Sequence, residues 1–190
     1  MKRAIFGFGG HAREILSIIQ NIDRIFVDDK YVTNKTYSIS EFNPEEYEIM
    51  ICVSDPKDRY NIVKKLPTDT KYFSFIHPTA LVFSEIEIGE GSYIGPYSIL
   101  TENITIGSHA LLNRLNQIGH DCEIGDFLSM MPGSIISGNC KVGDKVYIGS
   151  NSSIKEKISV CDDVIIGLNS GVVKDIKENG IYGGVPIKKL

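Results

Sequence analysis

A histidine beside an aspartate is the first place in this sequence where proton-transfer chemistry can sit. His120 and Asp121 occur in the run Ile118-Gly119-His120-Asp121-Cys122. Imidazole exchanges protons near neutral pH, and a neighbouring carboxylate fixes its tautomer and raises its basicity. A second place is the turn Gly7-Phe8-Gly9-Gly10-His11. A glycine-rich passage from strand to helix presents free backbone N–H groups to a phosphate. An acidic pair, Asp28-Asp29, follows about twenty residues on, where a nucleotide-binding fingerprint carries its acid. The third glycine of that fingerprint is replaced by Ala12, which the pattern admits. The alternative for this turn is a tight strand-to-helix connection without a ligand. The two remaining histidines are bland by comparison: His77 precedes Pro78, and His109 takes an ordinary outward slot.

His120 lies inside a tandem repeat. From Ile76 to Val172 an aliphatic residue recurs every six positions without a miss or an insertion, as in Ile94, Leu100, Ile106, Leu112, Ile118 and Ile124. Glycine follows the aliphatic residue at 89, 95, 107, 119, 125, 143, 149 and 167, where the backbone is expected to turn with no Cβ in the way. Two places before it the side chain is often small: Ser92, Ser98, Ala110, Cys122, Ser134, Cys140, Ser152, Ser170. Residues two apart on a short strand share a face, so each hexapeptide offers a large and a small inward slot. This period predicts a parallel β-helix. A sandwich of hairpins would need turn clusters at irregular spacings and would break the register.

The first seventy-five residues read differently. Strands are expected at 2–7, 24–27, 48–53 and 72–76, with helices at 11–20 and 58–66. Ala12, Ile15, Leu16 and Ile19 fall at helical spacing in the first helix. Alternating strands and helices predict a small parallel sheet. At this length the unit is too short for a full dinucleotide fold, and a mononucleotide suits it better. The domains are therefore 1–75, a Rossmann-like unit, and 76–190, the β-helix. His77-Pro78 is the hinge, because the residue before proline is held extended.

Composition excludes several classes. With 20 basic and 24 acidic residues the formal net charge is −4 and the pI about 5.6, with no basic cluster for nucleic acid. No apolar run reaches the roughly 18 residues of a membrane span, and the N-terminal residues lack the apolar h-region expected of a signal peptide. The expected location is the cytoplasm, where disulfides are rare. The four cysteines form no CxxC, so no metal site is expected.

The combination strand–GxGGH–helix, then Asp-Asp, then hexapeptides with an asparagine seven residues before His-Asp resembles one group. It is similar to the bacterial sialic-acid O-acetyltransferase and UDP-4-amino-sugar N-acetyltransferase family, and the C-terminal Gly183-Gly184-Val185-Pro186-Ile187-Lys188 resembles that family's ending. The resemblance implies a left-handed β-helix with three hexapeptides per coil, so that residues 18 apart stack. Cys122 and Cys140 would then meet inside, as packed thiols rather than a disulfide. His120 would lie between Glu102 and Gly138, whose missing side chain would let a ligand reach the ring.

It also implies acetyl-CoA as co-substrate and a nucleotide-linked amino sugar as acceptor, in surface-glycan synthesis. His120 would be the general base, Asp121 its orienting partner, and Asn113 a positioning group. Gly7, Gly9, Gly10 and His11 would approach the substrate phosphates, with Asp28 and Asp29 near the base. Gly138, Gly167, Gly184, Val185, Pro186 and Lys188 would meet the CoA. Ser129 stands where relatives often carry a second histidine near the thioester; it can donate a hydrogen bond but carries no charge. Relatives form trimers, with which a long flat prism face is consistent. O-acetylation of a sugar hydroxyl and a non-catalytic nucleotide-sugar scaffold are the alternatives, the latter encouraged by Ser129.

Overall fold

A computed structural model describes all residues, 1–190, and they divide into two compact units, Met1–Phe75 and Ile76–Leu190. Each is described by itself.

The first unit is a five-stranded parallel sheet in the order β3-β2-β1-β4-β5. Its elements are β1 (Lys2–Phe6), α1 (Gly10–Ile18), β2 (Arg24–Val27), β3 (Tyr37–Ser38), β4 (Tyr47–Ile51), α2 (Pro56–Lys65) and β5 (Lys71–Tyr72). Central β1 and β4 are covered on both faces, so they read as continuous apolar runs: Ala4, Ile5, Phe6 and Ile49, Met50, Ile51 are all buried. The edge strand β3 was not expected, being only two residues long. Helix α2 starts two residues before the expected position because Asp55 caps it. The Asp55 carboxylate accepts the backbone N–H of Lys57 at 2.9 Å and of Asp58 at 3.0 Å, and Pro56 takes the first helical position. The strand expected at 72–76 is broken into β5 and a separate pair, Phe75–Ile76.

The second unit is the left-handed parallel β-helix. Its rungs lie on three faces, and every lateral pairing up to Val172 joins residues 18 apart, such as Leu100 with Ile118 and Ile118 with Ile136. Face I contains 99–100, 117–118 and 135–136; face II contains 104–106, 122–124 and 141–142; face III contains 93–94, 111–112 and 129–130. The aliphatic residues of the period fill the interior, and Ile94, Leu100, Leu112, Ile118, Met130, Ile136, Ile148, Ile154 and Ile166 have no exposed surface. Each contributes about 1.5–3 kcal/mol by leaving water. At the start the pattern outruns the burial. Ile76 is 45% exposed although it obeys the period, because no coil lies below it.

The glycines play a different part from the one expected. The residue in left-handed conformation is the third after each aliphatic position, from Glu85 and Tyr97 through Leu115, Asp121 and Phe127 to Asn169. The glycine directly after the aliphatic residue is not in that region. It is needed because the next coil passes too close: a Cβ on Gly119 would stand 2.6 Å from the backbone nitrogen of Gly138.

The small inward slots carry polar atoms that saturate the corners. Ser98 and Ser152 donate their hydroxyls to the carbonyls of Asn113 and Gly167, at 3.0 and 2.7 Å. The thiols do the same: Cys122 donates to the Ser137 carbonyl and Cys140 to that of Lys155, each at 3.2 Å. Cys122 and Cys140 do meet, the Cys140 N–H lying 3.5 Å from the Cys122 sulfur, and all four cysteines are free thiols. Buried polar groups are thereby paired, which lets serine and cysteine stand in an apolar core.

Candidate functional site

The corner from face I to face II, residues 119–121, holds His120 and Asp121. Asp121 takes the left-handed slot that recurs at every corner, with φ 58°, so the helix geometry itself aims its side chain. One carboxylate oxygen lies 2.7 Å from His120 Nδ1. A carboxylate only accepts, so Nδ1 carries the proton and the lone pair of Nε2 is left as the basic site. The other carboxylate oxygen accepts the side-chain N–H of Asn103, one coil below, at 2.6 Å. The Asn103 amide, and then His120, hold the Asp121 carboxyl below the usual carboxylate range. Both side chains stay open to water, His120 being 61% exposed.

Gly138 lies one coil above, as expected, but its empty side-chain position is filled by the imidazole and not left for a ligand. A Cβ there would stand 2.8 Å from His120 Nε2 and 2.9 Å from Cε1.

Several candidate residues lie at another corner. Asn113 belongs to the corner from face III to face I, where its oxygen accepts the Arg114 backbone N–H at 2.8 Å. Face I separates it from His120. Gly167 is at that same corner and its N–H donates to the Tyr182 carbonyl at 2.8 Å, so the chain's own C-terminal strand already takes it. Gly184 donates its N–H to the Ser170 hydroxyl at 3.2 Å, again beside this corner, and Val185 follows with 75% of its surface exposed. Ile187 is buried and anchors the stretch around Pro186, whereas Lys188 is exposed. Ser129 is fully buried in its rung on face III and offers no exposed hydroxyl to a ligand. His109 is also buried, correcting its outward assignment. Its ring stacks on Phe127 one coil above, with centroids 4.9 Å apart. A groove of 830 Å³ runs along face II past Glu123 and Lys141 and contains none of the candidate residues.

In the first unit a cleft of 660 Å³ opens at the carboxyl ends of β1, β2 and β4. Gly7, Phe8 and Gly9 form its floor, Asp28 and Tyr31 one side, and Asp58, Asn61 and Lys65 of α2 another. This is where an open parallel sheet accepts ligands. Gly7 needs glycine for its φ of 112°, but a Cβ at Gly9 or Gly10 would meet nothing within 4 Å. Gly9 caps α1 without a side-chain hydrogen bond, so no cap side chain occupies the N-terminus of the helix, where an anion is favoured. His11 does not line the cleft; its Nδ1 lies 3.6 Å from the Glu14 carboxylate. Asp29 does not line it either, and accepts the hydroxyl of Ser38.

Sequence reasoning missed Lys30, Tyr31, Asp58, Asn61 and Lys65 here, and gave Asn103 no role. For Asp58, Asn61, Ile62 and Lys65 a signal exists, since their spacing puts them on one face of a helix. For Asn103 the stacking of residues 18 apart gives its place beside Asp121, but not the hydrogen bond it donates there.

Residues 2–66 match the family described as the PglD N-terminal domain. No curated protein matches the chain. Among solved structures it resembles WeeI from Acinetobacter baumannii at 23% identity, covering 100% of this chain and 99% of that one, with a TM-score of 0.89. It also resembles a variant of perosamine N-acetyltransferase from Caulobacter crescentus, solved with CoA and GDP-perosamine. Identity there is 21% over 100% of this chain and 97% of that one, with a TM-score of 0.91. The acetyltransferase domain of PglB from Neisseria gonorrhoeae, in complex with acetyl coenzyme A, is 24% identical over 100% and 98%, with a TM-score of 0.71. The two-part fold is thus that of the family the sequence resembles. No helix of the chain is long and apolar enough to cross a membrane.

Proposed function

We propose that this protein is an acetyl-CoA-dependent N-acetyltransferase acting on the amino group of a nucleotide-linked sugar. The observation that carries the reading is the His120–Asp121 pair, in which a carboxylate holds the proton on Nδ1 and leaves Nε2 basic in an exposed corner. Whole-chain likeness to proteins solved with CoA, acetyl-CoA and GDP-perosamine supports both substrates.

The N-terminal cleft takes the nucleotide, its diphosphate against the N–H groups that open α1. Lys30 and Lys65 supply positive charge for the diphosphate, and Asp28 accepts N–H groups of the base or ribose hydroxyls. The sugar amine attacks the thioester carbonyl, forming the C–N bond as the C–S bond breaks. His120 Nε2 takes the amine proton and returns it to the departing thiolate, so no acyl-enzyme forms. Asp121 stabilises the imidazolium between these steps.

CoA lies along the prism, its thioester at the His120 corner and its far end against the segment 184–186 at the Asn113 corner. These two corners flank face I, as do His120 and Asn113. A closed trimer would bring one subunit's His120 corner to the next subunit's Asn113 corner, which is how we read the division. Ser129 takes no part in binding the thioester.

The test is turnover of acetyl-CoA with a panel of UDP-, GDP- and dTDP-linked amino sugars, with the acetylated product identified by mass. Turnover with one or more of them, lost in His120→Ala, supports the reading. Transfer only to hydroxyl acceptors, or none across the panel, refutes it.

A further inference from the structure

We propose that Asn103 is a positioning residue for this reaction: through Asp121 it keeps the proton of neutral His120 on Nδ1. The inference rests on the reading of His120 as the base. Asn103 and Asp121 are 18 residues apart in consecutive coils, both in the left-handed corner slot, with φ 52° and 58°. Coil stacking therefore brings the amide of one directly to the carboxylate of the other, at 2.6 Å. Since the carboxylate only accepts, the atom facing it is the Asn103 Nδ2 donor.

The slot itself does not require asparagine. Tyr97, Leu115, Phe127 and Lys145 occupy equivalent positions at other corners. What is particular to 103 is the partner above it. Asp121 is 46% exposed, and a short carboxylate in water turns freely about its side-chain bonds. Asn103 takes one oxygen, and this leaves the other aimed at His120 Nδ1, 2.7 Å away. Two charge-assisted hydrogen bonds on one carboxylate hold an orientation that neither would hold alone. Imidazole in water prefers its proton on Nε2, the nitrogen that must be free to act as base. Loss of the Asp121 contact therefore removes the reactive tautomer, not merely a neighbour.

Two variants separate the donor from the fold. Asn103→Gly removes the amide and suits the positive φ. Asn103→Asp keeps the shape but cannot donate, and it repels Asp121. The readout is ¹⁵N NMR of the histidine-labelled full chain, with the His120 signals assigned by their loss in His120→Ala. In both variants the expected result is a shift of neutral His120 from the Nδ1–H to the Nε2–H tautomer. With it, kcat should fall about three- to thirtyfold at unchanged KM for acetyl-CoA, reaching below the range for a buried charge-assisted bond because both partners are exposed. An unchanged tautomer in both variants overturns the proposal, as does a shifted tautomer with kcat intact while His120→Ala is inactive. Should His120→Ala itself retain full activity, the assignment of His120 as base has failed, and the proposal falls with it; the tautomer signal still reports whether Asn103 orients the ring.

Discussion

The Nε2 edge of His120 rests against Gly138, 2.8 Å from the point where a β-carbon on that residue would stand. Glycine at 138 is thus a packing requirement of the imidazole one coil below. The ring is the exposed end of a side chain and can swing away, so Gly138→Ala should fold normally. Its Tm is expected to stay within a few degrees of wild type, while kcat drops at least about tenfold as the base is displaced. Differential scanning calorimetry and steady-state kinetics on the same preparation check this. Unchanged kcat would show that the observed ring position is not the working one.

General-base catalysis is worth roughly 10²–10⁴ in rate, so His120→Ala should lose about that much kcat while still binding acetyl-CoA. Asp121→Asn should lose less, since an amide oxygen can still accept from Nδ1 but no longer favours the imidazolium. Retention of more than about a tenth of wild-type kcat by His120→Ala from pH 6 to 9 contradicts the assignment.

The pH dependence has a defined sign at Asp121. Its folded carboxyl lies below the usual carboxylate range, held there by Asn103 and His120, so the anion's contribution is complete above that range. It is lost only as pH falls through the lowered value. Between pH 5 and 9 Asp121 therefore stays charged, and Asp121→Asn should scale the kcat profile down without adding or removing a titration step attributable to this carboxyl. An acid limb in that window that vanishes in Asp121→Asn would contradict the direction of the shift.

At the N-terminal turn, Gly9 has extended geometry and open space beside its α-carbon. Gly9→Val should fold, because a branched side chain meets no neighbour at its root. It should raise KM for the sugar nucleotide about tenfold or more by blocking the approach of phosphate to the α1 N–H groups, and leave acetyl-CoA affinity unchanged. An unchanged KM in the folded variant would return the turn to a structural role.

Asn113 and His120 sit at corners on opposite sides of face I. If subunits share sites around a trimer, Asn113→Ala and His120→Ala, each inactive, should recover activity when their subunits are mixed and reassembled. A mixed trimer then contains some interfaces with both native residues. Sedimentation should report three chains per particle, and a monomer, or no recovery in verified mixed trimers, excludes the shared site.

Much of this was legible in the order of residues because the β-helix is a local rule repeated. Every coil uses the same six positions, so Ile118 or Ile136 announces its interior slot without knowledge of any distant residue. The Rossmann-like strands β1 and β2 were legible for a similar reason, short apolar runs beside glycine turns. What sequence alone left undecided is whatever depends on contacts between coils or between elements. The repeating glycines were visible, but that they admit the next coil, while residues such as Asp121 make the turn, rests on backbone geometry. The single-chain separation of Asn113 from His120 follows from three-fold winding, which places seven residues one corner apart. Ser129 and His109 read as available side chains and are buried, since exposure belongs to the assembled surface. Asn103 is the clearest case. The stacking of residues 18 apart sets it beside Asp121 already at the level of sequence, but only the structure shows its amide donating to the carboxylate that orients His120.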